Sequence, residues 1–423
     1  MTNSSGAAAR TSDRRLGLRD GVGIGLGTML GAGLFTTFAP AAARAGTLLL
    51  LAVTLAALVA GASAHSMVRL AARHPGSGGV YLYGRERMGL PWGYLAGWAF
   101  VVGKTASCAA MALALGLHLW PDHATPVAVL SVLAVLALNL QGVREPHVVA
   151  MGVLLLVVVL TLAFVLVMLI APPVTAEAPP PAPPESGGVL GVVQAAGFLF
   201  FAFAGFARLV PFGEQVEHPR RTIPRAITIA LAIVLALYLL VALALTHTLG
   251  AGWVAAREAP LAEAAEISVW PWLGPALRIG AVLVIGGALM ALTGGISRIV
   301  LAMARDHHLP SALGTVDRRS GVPRRAEAVI AAAVIIIVML VDVQGAIGYA
   351  SFLALSYYAI GHACAWTLDR PVVHKVVPTL GLLACIIIAV LLPWQSVVAG
   401  VVTLALGSFT GWARWTTRED RPT

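Results

Sequence analysis

The sequence predicts an all-α polytopic membrane protein of about twelve transmembrane helices. Three observations carry that prediction. Hydrophobic residues make up 59% of the chain and charged residues only 11%, with a mean hydropathy of +0.87. Soluble domains carry about 25% charged residues. Apolar runs of about 20 residues, the length that crosses the hydrocarbon, recur along the whole chain. Lys and Arg, finally, gather in alternate connecting segments. The net charge of +9 would suggest a nucleic-acid partner in a soluble protein. Here its placement matters more, so the expected partner is the lipid bilayer and no nucleic acid.

Residues 1–17 read as a polar, Arg-bearing cytoplasmic tail. Twelve spans follow, at 18–43, 46–68, 91–119, 124–141, 147–170, 189–211, 226–248, 272–303, 326–343, 345–367, 376–393 and 395–412. The first span leads into glycines rather than a cleavage site, so it is not read as a signal peptide. With the N-terminus inside, 23 of the 28 Lys and Arg residues fall in inner segments or the span ends that abut them. Only Arg44 and Arg257 fall outside, and Lys104, Arg208 and Arg278 lie within spans. This is the positive-inside pattern of an even number of spans with both termini cytoplasmic. A cell-membrane, multi-pass protein is the expectation.

The connecting segments agree in character. The outer segment Ala171–Gly188 is proline-rich, with Glu177 and Glu185 and no basic residue, and reads as an extended spacer. The outer segment Gly250–Trp270 carries Glu258, Glu263 and Glu266. The inner segments Arg69–Leu90 and Met303–Arg325 read as short amphipathic surface helices. Cys108, Cys364 and Cys385 all lie in apolar runs and show no metal-ligand spacing. Buried thiols are expected, with no disulfide, metal or cofactor.

Two spans are interrupted. Gly27, Gly31 and Gly33 fall within seven residues of the first span. Each glycine costs a helix about 1 kcal/mol against alanine. In lipid a freed backbone group has no water to bond. The second interruption is Phe200-Phe201-Ala202-Phe203-Ala204-Gly205-Phe206 in span 6. Glycines can simply let helices pack closely. Two interrupted helices at matching places in two halves of a chain point instead to a transporter site near the bilayer midplane.

Ionisable groups at membrane depth are expensive and mark function. Lys104 lies near the middle of span 3, roughly 20 Å from either end at about 1.5 Å per residue. The 19 acidic residues can all be placed in loops, tails or span ends, with Asp20, Glu327 and Asp342 the nearest. Lys104 therefore bonds carbonyls or hydroxyls, sits neutral, meets a ligand carboxylate, or lines a wet vestibule. Arg208 lies close enough to the inner face to snorkel, which suits a gating or structural role. His65, His247 and His362 read as helix-packing residues. Thr293, Gly294, Gly295 and Ser297 in span 8 either face an ion or join helices.

Six stretches, in order, resemble the amino acid–polyamine–organocation (APC) superfamily of permeases. Gly27–Phe35 looks like its first-helix signature. His74-Pro75-Gly76-Ser77-Gly78-Gly79-Val80-Tyr81-Leu82-Tyr83 resembles its Pro-x-x-Gly-Gly-x-Tyr segment. Asn139–Arg144 is similar to the end of its helix 4, and Phe201–Phe206 to its broken helix 6. The stretch His218–Ile227 resembles the loop that follows, and Ser297–Pro310 the end of its helix 8. The resemblance implies a LeuT-like 5+5 inverted repeat plus two helices. The first repeat would be 18–170, then the outer loop 171–188, the second repeat 189–367, two accessory spans in 368–412 and a cytoplasmic tail at 413–423.

The resemblance also implies alternating access, with an amino acid held between the broken helices. Freed amides around Gly31-Ala32-Gly33 suit a carboxylate, and freed carbonyls around Phe201–Ala204 suit an ammonium. The candidate substrate-binding residues are thus Thr28, Met29, Gly31, Ala32, Gly33, Phe201, Ala202, Phe203, Ala204, Gly205 and Phe206. Candidate coupling or gating residues are Lys104, Ser107, Arg208, Thr293 and Ser297. Many members carry Glu after the Gly-Phe of helix 6, where this chain has Ala207. The substrate is therefore expected to be neutral rather than cationic. Some proton-coupled members carry a lysine in helix 5, where Leu154–Leu160 is wholly apolar. Lys104 is the candidate for that duty, with a proton or exchange as the driving force. A transport-dead sensor of the same fold is the alternative. A membrane-embedded transferase is the less favoured reading: it would need clustered acids, His or a nucleophile facing a cavity, whereas the acids are absent from the spans and the His are scattered. Oligomeric state is not legible in the sequence.

Overall fold

The computed structural model describes residues 17–74, 78–143, 147–171, 187–206, 216, 218–317, 320–368 and 371–419. The proline-rich stretch 172–186, Arg208, Ala207 and both extreme tails lie outside the described residues. Among the described residues the fold is helical throughout, and nine helical stretches are long and apolar enough to cross a membrane.

Each predicted span has its helix. Span 1 is divided into α1 (Leu18–Leu30), α2 (Ala32–Thr36) and α3 (Phe38–Ala45). Then come α4 (Leu49–Arg73), the short α5 (Gly79–Met88), α6 (Leu90–Leu119), α7 (Ala124–Leu140) and α8 (His147–Ile170). Beyond the proline-rich stretch lie α9 (Gly188–Phe203), α10 (Pro219–Thr248) and two short helices, α11 (Gly250–Ala255) and α12 (Pro260–Glu266). The chain continues as α13 (Leu273–Arg305), α14 (Arg324–Leu340), α15 (Val343–Trp366), α16 (Val376–Leu391) and α17 (Trp394–Glu419).

Three of the twelve fall outside the nine apolar stretches for visible reasons. α1 is cut short at Leu30, and α14 has only 17 residues. α15 carries Tyr349, Tyr357, Tyr358, Ser351, Ser356 and His362, which lower its hydropathy. Leu58, Leu130, Leu155, Ile279 and Met339 are exposed on the outside of the bundle. An apolar exterior of this kind suits lipid rather than water.

The inner segment Met303–Arg325 differs from expectation. Among its described residues it forms no separate surface α-helix: α13 runs on to Arg305, and a 3-10 turn follows at Ser311–Gly314. Pro310 and Pro323 lack the amide a helix needs, and Gly321 takes φ +66°. The other inner segment does hold a helix, α5.

The bundle is organised around α6, which packs against α13, α15, α5, α7, α17 and α14. Small residues on α6 make that crowding feasible. Gly97, Gly103 and Gly116 stand where a Cβ would fall 2.8 Å from Tyr81, 2.8 Å from Leu353 and 2.2 Å from the Ala124 carbonyl. α1 lies on α10 and α8, α3 on α9, and α9 on α4 and α15. Both interrupted helices thereby meet in the interior, beside α6.

Candidate functional site

The first interruption is a true break. Gly31 adopts φ −54°, ψ −116°, outside the helical region, and separates α1 from α2. The second follows Phe203, where α9 gives way to a 3-10 turn at residues 204–206. The breaks touch each other. A Cβ at Gly33 would fall 2.4 Å from the Ala202 Cβ, and one at Gly205 2.5 Å from the Thr28 carbonyl oxygen. Only glycine permits either approach.

The carbonyls loosened by the breaks are partly engaged. Tyr238 on α10 donates its hydroxyl to Met29 O at 2.7 Å. Thr28 Oγ1 bonds Gly205 O at 3.1 Å, and Tyr358 on α15 donates to Ala204 O at 3.4 Å. Each carbonyl oxygen has a second lone pair, so these bonds fix the loosened backbone without exhausting it.

A cavity of about 210 Å³ opens at the breaks. Thr28, Met29, Ala32 and Gly33 line it from the first, and Phe201, Ala202, Ala204 and Gly205 from the second. Lys104 and Ser107 face it from α6. Of the sequence candidates, these ten are brought together. Gly31 is not among the lining residues; its missing side chain instead leaves room for Ala288. Phe203 is buried against Tyr238, with ring centroids 5.2 Å apart. Phe206 stacks on Tyr358 at 5.3 Å. Both phenylalanines pack behind the cavity rather than in it.

Thr293 and Ser297 belong to a different cluster. Ser297 Oγ donates to Glu327 Oε1 at 2.8 Å, and Asn139 Nδ2 lies 3.3 Å from Glu327 Oε2 and 2.9 Å from Thr293 Oγ1. Glu327, placed by the sequence at a span end, sits in the first turn of α14 and is only 3% exposed. This buried acid joins α7, α13 and α14, and is not a cavity residue. His362 is likewise interior, between Ser63 and Ser66 at 3.1 and 2.9 Å. It ties α15 to α4.

The remaining lining shows what the sequence reading missed. Phe100, Lys104, Ser107 and Met111 form one face of α6 at helical spacing. Once Lys104 is singled out, that period identifies its neighbours. Ala288, Ala291, Leu292 and Gly295 of α13 and Tyr357 and Tyr358 of α15 complete the walls. The adjacent tyrosines in an otherwise apolar span were the available signal for α15. On α13, Gly295 belonged to a stretch the sequence singled out, whereas Ala288, Ala291 and Leu292 carried no signal. The cavity continues to Gly79, Val80, Tyr81 and Tyr83 of α5.

At that end Tyr81 donates to Asp306 Oδ2 at 2.6 Å and also meets His308 Nδ1 at 2.6 Å. Arg85 bonds the same Asp306 oxygen at 2.7 Å. Burial, and then the bond to Asp306, push the Tyr81 phenol well above its usual range. The network joins α5 to the end of α13.

The profile of the Amino acid permease family matches residues 20–370. An uncharacterized transporter of Mycobacterium tuberculosis is 48% identical over 413 residues, 97% of this chain and 93% of the relative. The branched-chain amino acid permease BcaP of Bacillus subtilis is 25% identical over 93% of this chain and 91% of its own length. The vacuolar cationic amino acid transporter 2 of Arabidopsis thaliana is 28% identical over 80% of this chain and 58% of the relative.

Proposed function

The chain belongs to the Amino acid permease family, and from that membership we propose a secondary active transporter that moves amino acids across the cytoplasmic membrane by alternating access. The observation that carries this reading is the meeting of two helix breaks at one cavity, around Gly33 and Gly205. Loosened backbone of this kind offers amides to a carboxylate and carbonyls to an ammonium. Both groups of an α-amino acid are then held with few charged side chains. The lining residues of the two breaks are the binding residues in this reading.

The halves 18–170 and 189–367 act as two five-helix repeats, followed by two accessory helices. The concentration of Lys and Arg in alternate segments supports cytoplasmic termini. In this reading α5, and the cavity end beside it, face the cytoplasmic side. Thr293, Ser297 and Glu327 act in the scaffold that braces α13. Among the described residues no carboxylate lines the cavity, which argues against a cationic side chain on the substrate. The driving force is a proton gradient or exchange, and Lys104 is the candidate that senses either.

The relatives' substrates, branched-chain in one and cationic in another, do not select a class here. Counterflow into proteoliposomes preloaded with mixed amino acids tests the proposal. Accumulation of labelled amino acid supports transport. No counterflow from correctly folded protein would leave a transport-dead sensor of the same fold.

A further inference from the structure

We propose that the transported amino acid carries an acidic side chain, whose carboxylate pairs with Lys104 in the cavity. The inference rests on the transport reading above and names the substrate class of the same site. It begins with charge. Among the described residues, Lys104 is the one charged side chain that lines the cavity, and no Asp, Glu, Arg or His joins it there. Among the described residues, no hydrogen bond or ion pair reaches its ammonium. The buried acid Glu327 is already held by Ser297 and Asn139 and does not line the cavity.

The second argument is position. Lys104 sits on α6, between Phe100 one turn before it and Ser107 one turn after, and all three face the cavity. The backbone of the breaks serves the α-carboxylate and α-ammonium. The lysine stands on a separate wall, where a side chain extends. Ser107 donates its hydroxyl proton to Gly103 O in its own helix, 3.0 Å away, so the ammonium of Lys104 is the donor that this wall presents to an entering carboxylate.

The third argument is the charge of the closed, loaded cavity. A charge enclosed at membrane depth is costly unless paired. A neutral amino acid would leave the ammonium unpaired when the gates close. A cationic one would double the charge. An acidic amino acid, with net charge −1, makes lysine and substrate neutral together. The loaded carrier would then reorient across the bilayer without an enclosed net charge.

The test uses the full chain in proteoliposomes, with counterflow of labelled glutamate, aspartate, leucine and lysine at equal concentrations. The expected result is that glutamate or aspartate exchanges in preference to leucine by about tenfold or more, the scale of one desolvated charge pair. Lys104→Met keeps the length of the stem and removes the charge. Its acidic-to-neutral rate ratio should fall by about tenfold or more, with Lys104→Arg falling less. Thermal unfolding of each variant separates this loss from misfolding. Efficient leucine exchange that neither acidic amino acid inhibits would overturn the inference while the transport reading stands. An equal loss of acidic and neutral exchange in a folded Lys104→Met protein would also overturn it, since the lysine would then serve the common α-groups or the coupling. No exchange of any amino acid by folded wild-type protein would remove the transport reading, and this inference with it.

Discussion

Thr28 Oγ1 lies 3.1 Å from the carbonyl oxygen of Gly205, so a hydroxyl at the end of α1 reaches a carbonyl freed by the break in α9. The same hydroxyl is 3.0 Å and 2.9 Å from the carbonyls of Ile24 and Gly25 in its own helix. One proton serves three acceptors. A contact shared in this way holds the breaks together in one state and can be surrendered in another without leaving the hydroxyl unsatisfied. Thr28→Val keeps the shape and removes the donor. It should change the rate of transport while costing little stability, about 1 kcal/mol or less for one partly buried bond. Counterflow rates beside thermal unfolding curves check this. A strongly destabilised protein with normal kinetics per folded molecule would contradict it.

Gly205 has no space for a side chain. A Cβ there would stand 2.5 Å from backbone at Thr28, and backbone cannot yield as a flexible side chain does. Gly205→Ala should destabilise by about 1–3 kcal/mol, the usual range for overpacking, and abolish transport. Gly295, on the cavity wall, has nothing within 4 Å of its Cβ position. Gly295→Ala should fold normally. Paired melting curves distinguish the two.

Tyr238 is fully buried, and its hydroxyl holds Met29 O at 2.7 Å across the first break. Tyr238→Phe leaves that carbonyl without its interhelix donor. A cost of about 1–3 kcal/mol follows from burying an unsatisfied group. Increased amide exchange around residues 29–33, measured by mass spectrometry, should accompany it. Unchanged exchange there would show that Tyr238 does not hold the break.

Glu327 is buried with neutral donors only, Ser297 and Asn139. Glu327→Ala should be the more damaging substitution, by about 1–3 kcal/mol, because it removes the acceptor that joins Ser297 to Asn139 and empties a buried site between α7, α13 and α14. Glu327→Gln keeps the volume and should cost less. Equal melting temperatures for the alanine variant and wild type would exclude a bracing role for this cluster.

Tyr81 gives the pH dependence of the inner network a sign. Burial and the bond to Asp306 raise its phenol above the usual value of about 10. The folded state therefore holds this proton more tightly than the unfolded state. Its stabilising effect is complete below about pH 10 and is lost as pH rises through the folded value. Between pH 9 and 11 the wild type should lose stability more steeply than Tyr81→Phe. Parallel slopes would show that the phenol does not titrate with folding.

Much of the helical order is legible in the sequence. Spans and charge bias depend on segment composition, and composition is local. The break at Gly27–Phe35 was legible for the same reason: glycine acts on its own backbone. Lys104 stood out because a mid-span charge is costly wherever its neighbours are. The roles of Phe203 and Phe206 were not legible. Phe201, Phe203 and Phe206 lie within six residues, yet only the first faces the cavity. Phe201 and Phe203 both lie on α9, where two residues' separation turns them to opposite sides, and the 3-10 turn at residues 204–206 changes the angular period that would have sorted Phe206. Glu327 misled in another way. Its place near a span end suggested solvent, but α7 and α13 close over it.

The sequence by itself determined an all-helical membrane protein, the family, two interrupted helices and one intramembrane lysine. Each follows from chemistry a residue carries wherever it is placed: apolar length, a glycine backbone, an expensive charge. Only the tertiary structure decided which residues share the cavity, that Lys104 is its one charged side chain among the described residues, and that Ser297 and Asn139 bond Glu327 while Thr293 bonds Asn139 instead of lining it. Those facts depend on how far each helix is rotated about its axis and which neighbours it meets. Rotation is set by side-chain packing among segments distant in sequence, such as Gly33 against Ala202 and Gly205 against Thr28. No local pattern encodes that packing.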